Sequence, residues 1–204
     1  MLDHIILGCS DLDGGVQFIA ERTGVRAVLG GVHPGHGTRN SLLSVGGRSY
    51  LEVLAPDPQQ PALTWYRMLP ELSEPRLLGW AVQVANLAEL AQRLGTARIA
   101  CKTPTAGSRV RPDGRRLRWT MLALEDNRGG LLPFFLEWSA DSTHPSEDAP
   151  AGCRLVGFGV ESPDPDELAG MYQRLGVEVA VKRGDRPRIF ARIAGPGGEC
   201  DLTS

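Results

Sequence analysis

The chain has 204 residues, with 22 basic against 24 acidic side chains, a formal net charge of -2 and 42% hydrophobic residues. That balance fits one domain or two small ones with a sizeable core, and it excludes a disordered charged tail and a global attraction to nucleic acid or an anionic membrane. Apolar stretches fall far short of the roughly 20 residues that cross a bilayer, and Met1 leads into a strand pattern without a basic-then-apolar leader, so no membrane partner and a cytoplasmic location are expected.

In chain order, residues 2–7 form the first strand candidate. Ser10 with Asp13 reads as a capping box, and Leu12, Val16, Ile19 and Thr23, spaced by three and four, predict a helix stopped by Gly24. Strands are predicted over 25–29, 40–45 and 49–55. A proline-marked connector over 56–75 follows, in which Leu63, Trp65, Tyr66, Met68 and Leu69 predict a short amphipathic helix.

The same order then recurs. A strand over 78–84 leads to an Asn86/Glu89 box, a stripe of Leu87, Leu90, Ala91 and Leu94, a stop at Gly95, and strands over 97–101, 117–125 and 131–138. After a loop-like segment over 143–150, a third copy runs from a strand over 155–160 to a helix. That helix has Asp164, Pro165 and Glu167 at its start, the stripe Leu168, Met171, Tyr172 and Leu175, and Gly176 at its end. Strands over 177–182 and 188–194 follow, with no full last strand evident. The expected fold class is α+β, with repeated βαβββ modules forming curled mixed sheets. Paired modules over 1–58 and 77–140 would form one domain across 1–144. The third, shorter module over 150–204 would pack on it or form a homodimer interface.

Several residues carry chemical potential. His4 lies on the opening strand, Glu52 on the last strand of the first copy and Glu137 at the corresponding place in the second. Together they could converge on a divalent cation, for which imidazole and carboxylate suit zinc, manganese, nickel or iron. Equally, both glutamates could be partly exposed or paired with arginines, and His4 a satisfied structural histidine. Trp80, on the second opening strand, cannot be an ordinary ligand; it could wall a pocket or belong to the core.

The segment 33–40, His-Pro-Gly-His-Gly-Thr-Arg-Asn, reads as a loop over a cleft, where Arg39 could hold a carboxylate or phosphate and His36 move a proton, or else as a solvated turn. Arg109, Arg111, Arg115, Arg116 and Arg118 cluster around a Pro112-Asp113-Gly114 turn, either touching an acidic substrate or forming a solvated basic loop. Trp119 alone makes no nucleic-acid stacking platform. Cys9, Cys101, Cys153 and Cys200 show no CxxC spacing and are expected as small core residues. Glycine-rich nucleotide loops, HExxH and a nucleophile elbow are absent from the sequence.

Leu2-Asp3-His4 followed by Ser10-Asp11-Leu12, the 33–40 segment, the 49–58 segment around Glu52, Phe134-Phe135-Leu136-Glu137-Trp138 and His144-Pro145 together resemble the vicinal-oxygen-chelate superfamily, and more closely its glyoxalase-like domain proteins. The resemblance covers most of the chain. It implies paired modules curled around a cleft in which a metal polarises vicinal oxygens of a substrate or of bound dioxygen. Carried over by position, it implies His4, Glu52 and Glu137 as metal ligands. Glu52, Glu137 or His36 would act in proton transfer, and Arg39, Asn40, Trp80 and Phe135 would contact substrate. Two positions depart from the pattern: Trp80 stands where a ligand is expected, and Arg39 where relatives often carry histidine. The implied activity is a metal-dependent isomerase, lyase or dioxygenase on a small vicinal oxygenated compound. The alternative is a metal-free small-molecule binding or sequestering protein.

Overall fold

In the computed structural model, residues 1–60, 63–111 and 113–204 are described. Pro61 and Ala62 of the first connector, and Pro112 of the expected turn, lie outside them. The first copy comprises β1 (Leu2–Gly8), α1 (Leu12–Thr23), β2 (Val28–His33), β3 (Thr38–Ser44) and β4 (Tyr50–Pro56). The second comprises β5 (Arg76–Gln83), α2 (Leu87–Thr96), β6 (Thr105–Val110), β7 (Arg116–Leu122) and β8 (Phe134–Trp138). A short helix, α3 (Pro145–Asp148), leads to β9 (Arg154–Ser162), α4 (Pro165–Leu175), β10 (Ala180–Arg183), β11 (Arg188–Gly195) and β12 (Gly198–Thr203).

Helix boundaries follow local chemistry. Asp11, rather than Ser10, caps α1 by accepting from the Gly14 amide, whereas Asn86 and Asp164 cap α2 and α4 as the sequence indicates. Gly24 and Gly176 take left-handed conformations that end their helices, while Gly95 stays inside α2, which ends at Ala97. Three further expectations are corrected. Residues 97–101 contribute only an isolated bridge from Cys101 to Leu124, and the strand there is β6, inside the basic cluster. The connector holds a three-residue 3-10 turn at Leu69–Glu71. The 143–150 loop contains α3, whose N-cap His144 is fully buried.

The first two copies form one eight-stranded sheet in the order β2-β3-β4-β1-β5-β8-β7-β6. β1 is parallel to β4, β5 is parallel to β8, and β1 meets β5 antiparallel at the centre, so the halves are related by an approximate two-fold. The sheet curls until its end strands face each other: a Cβ at Gly31 of β2 would lie 2.7 Å from the Val110 carbonyl of β6. The third copy contains the same element order, with β12 as its last strand, but pairs differently, as β10-β9-β11-β12. One continuous apolar cluster joins the convex side of the large sheet to this small sheet, through Ile5, Leu51, Val53, Trp80 and Phe135 on one side and Val160, Leu168, Ile193 and Leu202 on the other. Strand alternation then sends the opposite side chains into the concave face.

Candidate functional site

The concave face encloses a cleft of about 710 Å³, a size that suits a small organic molecule. Its floor is set by strand phase. On β1 and β4, His4, Ile6, Tyr50, Glu52 and Leu54 face inward; on β8, Phe134, Leu136 and Trp138 do so. The cross-strand register equates His4 with Ala81, and the parallel pairs β1/β4 and β5/β8 equate Tyr50 with Phe134. Counting along each strand from that pair, Leu136 stands opposite in role to Glu52. His4, Tyr50 and Glu52 on β1 and β4 thus correspond to Ala81, Phe134 and Leu136 on β5 and β8, which carry no ionisable group.

His4 is held by its neighbour. Between Leu2 and His4 the register with β5 slips, making Asp3 the extra residue of a bulge that turns its carboxylate toward the imidazole instead of away from it. Asp3 Oδ1 lies 2.6 Å from His4 Nδ1, and Oδ2 lies 3.1 Å from His144 Nε2 and accepts from Trp138 Nε1 at 2.7 Å. Burial alone would raise the Asp3 pKa, but the hydrogen bonds from His144, His4 and Trp138 outweigh it and hold the carboxyl well below its ordinary value. An ionised Asp3 fixes the Nδ1–H tautomer of His4 and leaves Nε2 facing Glu52 Oε2 at 3.5 Å. The imidazole also stacks on Tyr50, with ring centroids 4.7 Å apart.

Glu52 is buried, and its Oε1 accepts from Asn40 Nδ2 at 2.5 Å. Asn40 Oδ1 in turn accepts from Arg109 Nη1 at 3.0 Å, which orients the amide and makes Asn40 a relay between guanidinium and carboxylate. His33 sits beside this chain, with Nδ1 2.9 Å from Thr38 Oγ1 and Nε2 3.7 Å from Glu52 Oε1. Burial pushes its pKa down to about 4, with Arg109 adding to the shift and Glu52 opposing it. Native His33 therefore stays neutral while the unfolded chain takes up a proton below 6.5. Its contribution to stability is complete above that pH and is lost as pH falls toward 4, about 2 kcal/mol being gone by pH 5. Urea unfolding at pH 7 and 5 checks this: the acid-side loss should shrink by that amount in His33→Gln, and an unchanged loss would refute it.

His36 is at the rim, stacked on Trp65 with centroids 3.5 Å apart and with Nδ1 3.0 Å from Thr64 Oγ1. Partial burial lowers its pKa. Of the expected 33–40 loop, only residues 34–37 form the turn that carries His36 to the cleft; His33 ends β2 and Thr38, Arg39 and Asn40 belong to β3.

The other expected site residues are elsewhere. Glu137 points to the convex side, where its Oε2 accepts from the Leu87 amide at 2.6 Å and stabilises the N-terminus of α2, so it does not join His4 and Glu52. Trp80 is buried against Phe158 and Tyr172 and donates to the Leu131 carbonyl at 2.8 Å; it is a core residue, and Ala81 is the residue paired with His4 across β1 and β5. Phe135 is likewise in the convex core, while Phe134 faces the cleft. Arg39 alternates with Asn40 and so lies on the other side of β3, half-buried, its Nε without a partner among the described residues.

The three expected ligands are therefore not brought together at one place. Among the described residues no group of three or more His, Cys, Asp or Glu side chains is arranged to hold a metal ion. Moreover, Asn40 presents an N–H to Glu52 with a guanidinium behind it, where a metal would need lone pairs. Tyr50, Trp65, Tyr66, Leu136 and Trp138, none of them read from the sequence as a site residue, line the cleft, as does Arg109. Arg109 was visible only as one member of a basic cluster.

A family model described as a glyoxalase-like domain matches residues 2–176. No curated protein matches the chain. Among solved structures, a hypothetical protein from Staphylococcus aureus aligns with a TM-score of 0.68 at 14% identity, covering 99% of this chain and 84% of that one. Streptomyces coelicolor methylmalonyl-CoA epimerase aligns with a TM-score of 0.50 at 24% identity, covering 70% of this chain and 96% of that one. At these identities the likeness is one of fold.

Proposed function

Because the chain belongs to the glyoxalase-like domain family, we propose that its cleft binds and sequesters a small organic molecule without a metal ion. The observation that carries this reading is the division of the cleft. Phe134, Leu136 and Trp138 form an apolar stretch of β8 where a symmetric metal site would need donors, and the Arg109–Asn40–Glu52 chain supplies positive charge to the one buried glutamate among the described residues. A metal-dependent isomerase, lyase or dioxygenase would need a ligand set that the strand phase does not assemble.

Six aromatic side chains line the cleft: Tyr50, Trp65, Tyr66, Trp119, Phe134 and Trp138. A ligand burying roughly 150 Å² of apolar surface against them would gain about 4 kcal/mol, most of it offset by lost translational and rotational freedom. A polar anchor is needed for useful affinity.

The test is a screen of small organic compounds by tryptophan fluorescence, in buffer containing EDTA. Binding is expected to persist under EDTA and to weaken by roughly tenfold or more in Phe134→Ala, which removes about 1.5–3 kcal/mol of apolar contact. Binding that requires an added divalent cation would overturn the proposal. Self-association into a homodimer in the cytoplasm belongs to the same proposal. It is supported by exposed Val28, Leu29, Val32 and Val110 on β2 and β6, and by the lack of any helix among the described residues long and apolar enough to cross a membrane. Sedimentation and cell fractionation check these two points.

A further inference from the structure

We propose that the ligand of this cleft is an organic acid, its carboxylate paired with Arg109 and its flat apolar body laid against Trp119, Phe134 and Leu136. The inference rests on the binding function proposed above and adds the chemical class of the ligand.

Arg109 differs from the rest of its cluster. Arg111 pairs with Asp148, Arg115 with Asp113 and Arg118 with Asp141, while Arg116, also without a carboxylate partner among the described residues, is exposed and donates to Ser108 Oγ. Arg109 is only 4% exposed, yet no carboxylate lies within 4.0 Å of it among the described residues. Of its five N–H donors, one has a side-chain partner there, the neutral Oδ1 of Asn40. None of its nitrogens is sealed from solvent without a partner, so the remaining donors open on the cleft that Arg109 lines. Burial of the guanidinium lowers its pKa, and Tyr50 and Glu52 offset that only in part.

The chain makes room for this arginine. A Cβ on Gly30 would lie 2.1 Å from Arg109 Nη1 and 2.4 Å from Asn40 Oδ1, and one on Gly31 would lie 3.0 Å from Arg109 Cγ. Consecutive glycines on β2 thus allow a side chain from β6 to cross the seam between the end strands and enter the barrel. A planar guanidinium with free, converging donors in an enclosed apolar setting matches a carboxylate geometrically and electrostatically. Because Glu52 lies on the far side of Asn40 from Arg109, the anionic group belongs at the Arg109 end, and a singly charged acid suits one guanidinium.

The test is calorimetric titration with three probes of one shape, in EDTA: 2-naphthoate, neutral 2-naphthamide and cationic 2-naphthylmethylammonium. Naphthoate is expected to bind at least tenfold more tightly than the amide, with the ammonium weakest. Arg109→Gln, which keeps a donor for Asn40, should abolish the preference for naphthoate while keeping amide binding. Arg109→Lys, which keeps the charge but loses the fork, should retain a reduced preference, and circular dichroism melts confirm that both variants fold. Equal binding of acid and amide, or unchanged preference in Arg109→Gln, overturns the inference but leaves the cleft as a binding site. Preference for the ammonium also overturns it and makes Glu52 the anchor. Failure of all three probes to bind removes both readings.

Discussion

An Asp3→Ala variant is expected to melt about 10 °C or more below the parent protein. Asp3 is fully buried and receives His4, His144 and Trp138, so its removal strands three polar groups in the interior rather than exposing them to water. Loss of one partner from a buried charged network costs about 3–5 kcal/mol, and in a chain of this size each kcal/mol moves the midpoint by roughly 2–4 °C. Asp3→Asn keeps the shape but loses the charge, and is expected to cost about half as much.

The pH dependence identifies the cause. A carboxyl whose folded pKa is depressed stabilises the native state fully above its ordinary value of 3.8 and loses that contribution as pH falls further. The gap between parent and Asp3→Asn should therefore stay constant from pH 7 to about 4 and narrow below. Melts followed by circular dichroism at several pH values measure it. A gap that closes between pH 7 and 5 would instead assign the effect to a histidine.

Trp80→Ala should lower stability by a similar amount, about 3–5 kcal/mol, the range for deleting a large buried aromatic. Its ring is 2% exposed and lies at the junction of the two sheets, with Phe158 at 5.1 Å and Tyr172 at 6.0 Å between ring centroids. Its indole N–H and the Tyr172 hydroxyl converge on the Leu131 carbonyl. Trp80→Phe, which leaves Tyr172 on that carbonyl, should cost only about 1 kcal/mol for the lost hydrogen bond beyond the change in packing. At a temperature where Trp80→Ala is folded, its affinity for a cleft ligand should stay within about twofold of the parent. A larger loss, with the fold intact, would return Trp80 to the cleft wall.

Both predictions turn on strand phase, which the sequence leaves partly undetermined. His4 and Glu52 were legible because each is an ionisable residue in a strand of mostly apolar residues; the alternation of Glu52 with Leu51 and Val53 gives the phase of β4, whereas Asp3 beside His4 leaves the start of β1 without a simple alternation. In Phe134-Phe135-Leu136-Glu137-Trp138 the apolar residues fall on both faces, so likeness to the Glu52 strand suggested one phase and the folded register has the other. A one-residue slip exchanges every side chain between cleft and core. Similarly, the break in register between β1 and β5 that sends Trp80 outward and leaves Ala81 beside His4 depends on pairing between strands some seventy-five residues apart.

The sequence by itself determined the element order, three times strand, helix and strands, because hydrophobic periods, N-caps and helix-ending glycines are local and act within a few residues. It also determined the candidacy of His4 and Glu52. Only the tertiary structure decided which face each strand turns inward, that the third copy pairs in a different order, and that Arg109 alone among its neighbours is drawn into the barrel. Those outcomes depend on contacts between distant segments: the register of adjacent strands, the curl that brings β6 to β2, and the absence of side chains at Gly30 and Gly31. A basic residue in a cluster carries the same local signal whether it ends in solvent or beneath a seam, and the packing around it assigns the role.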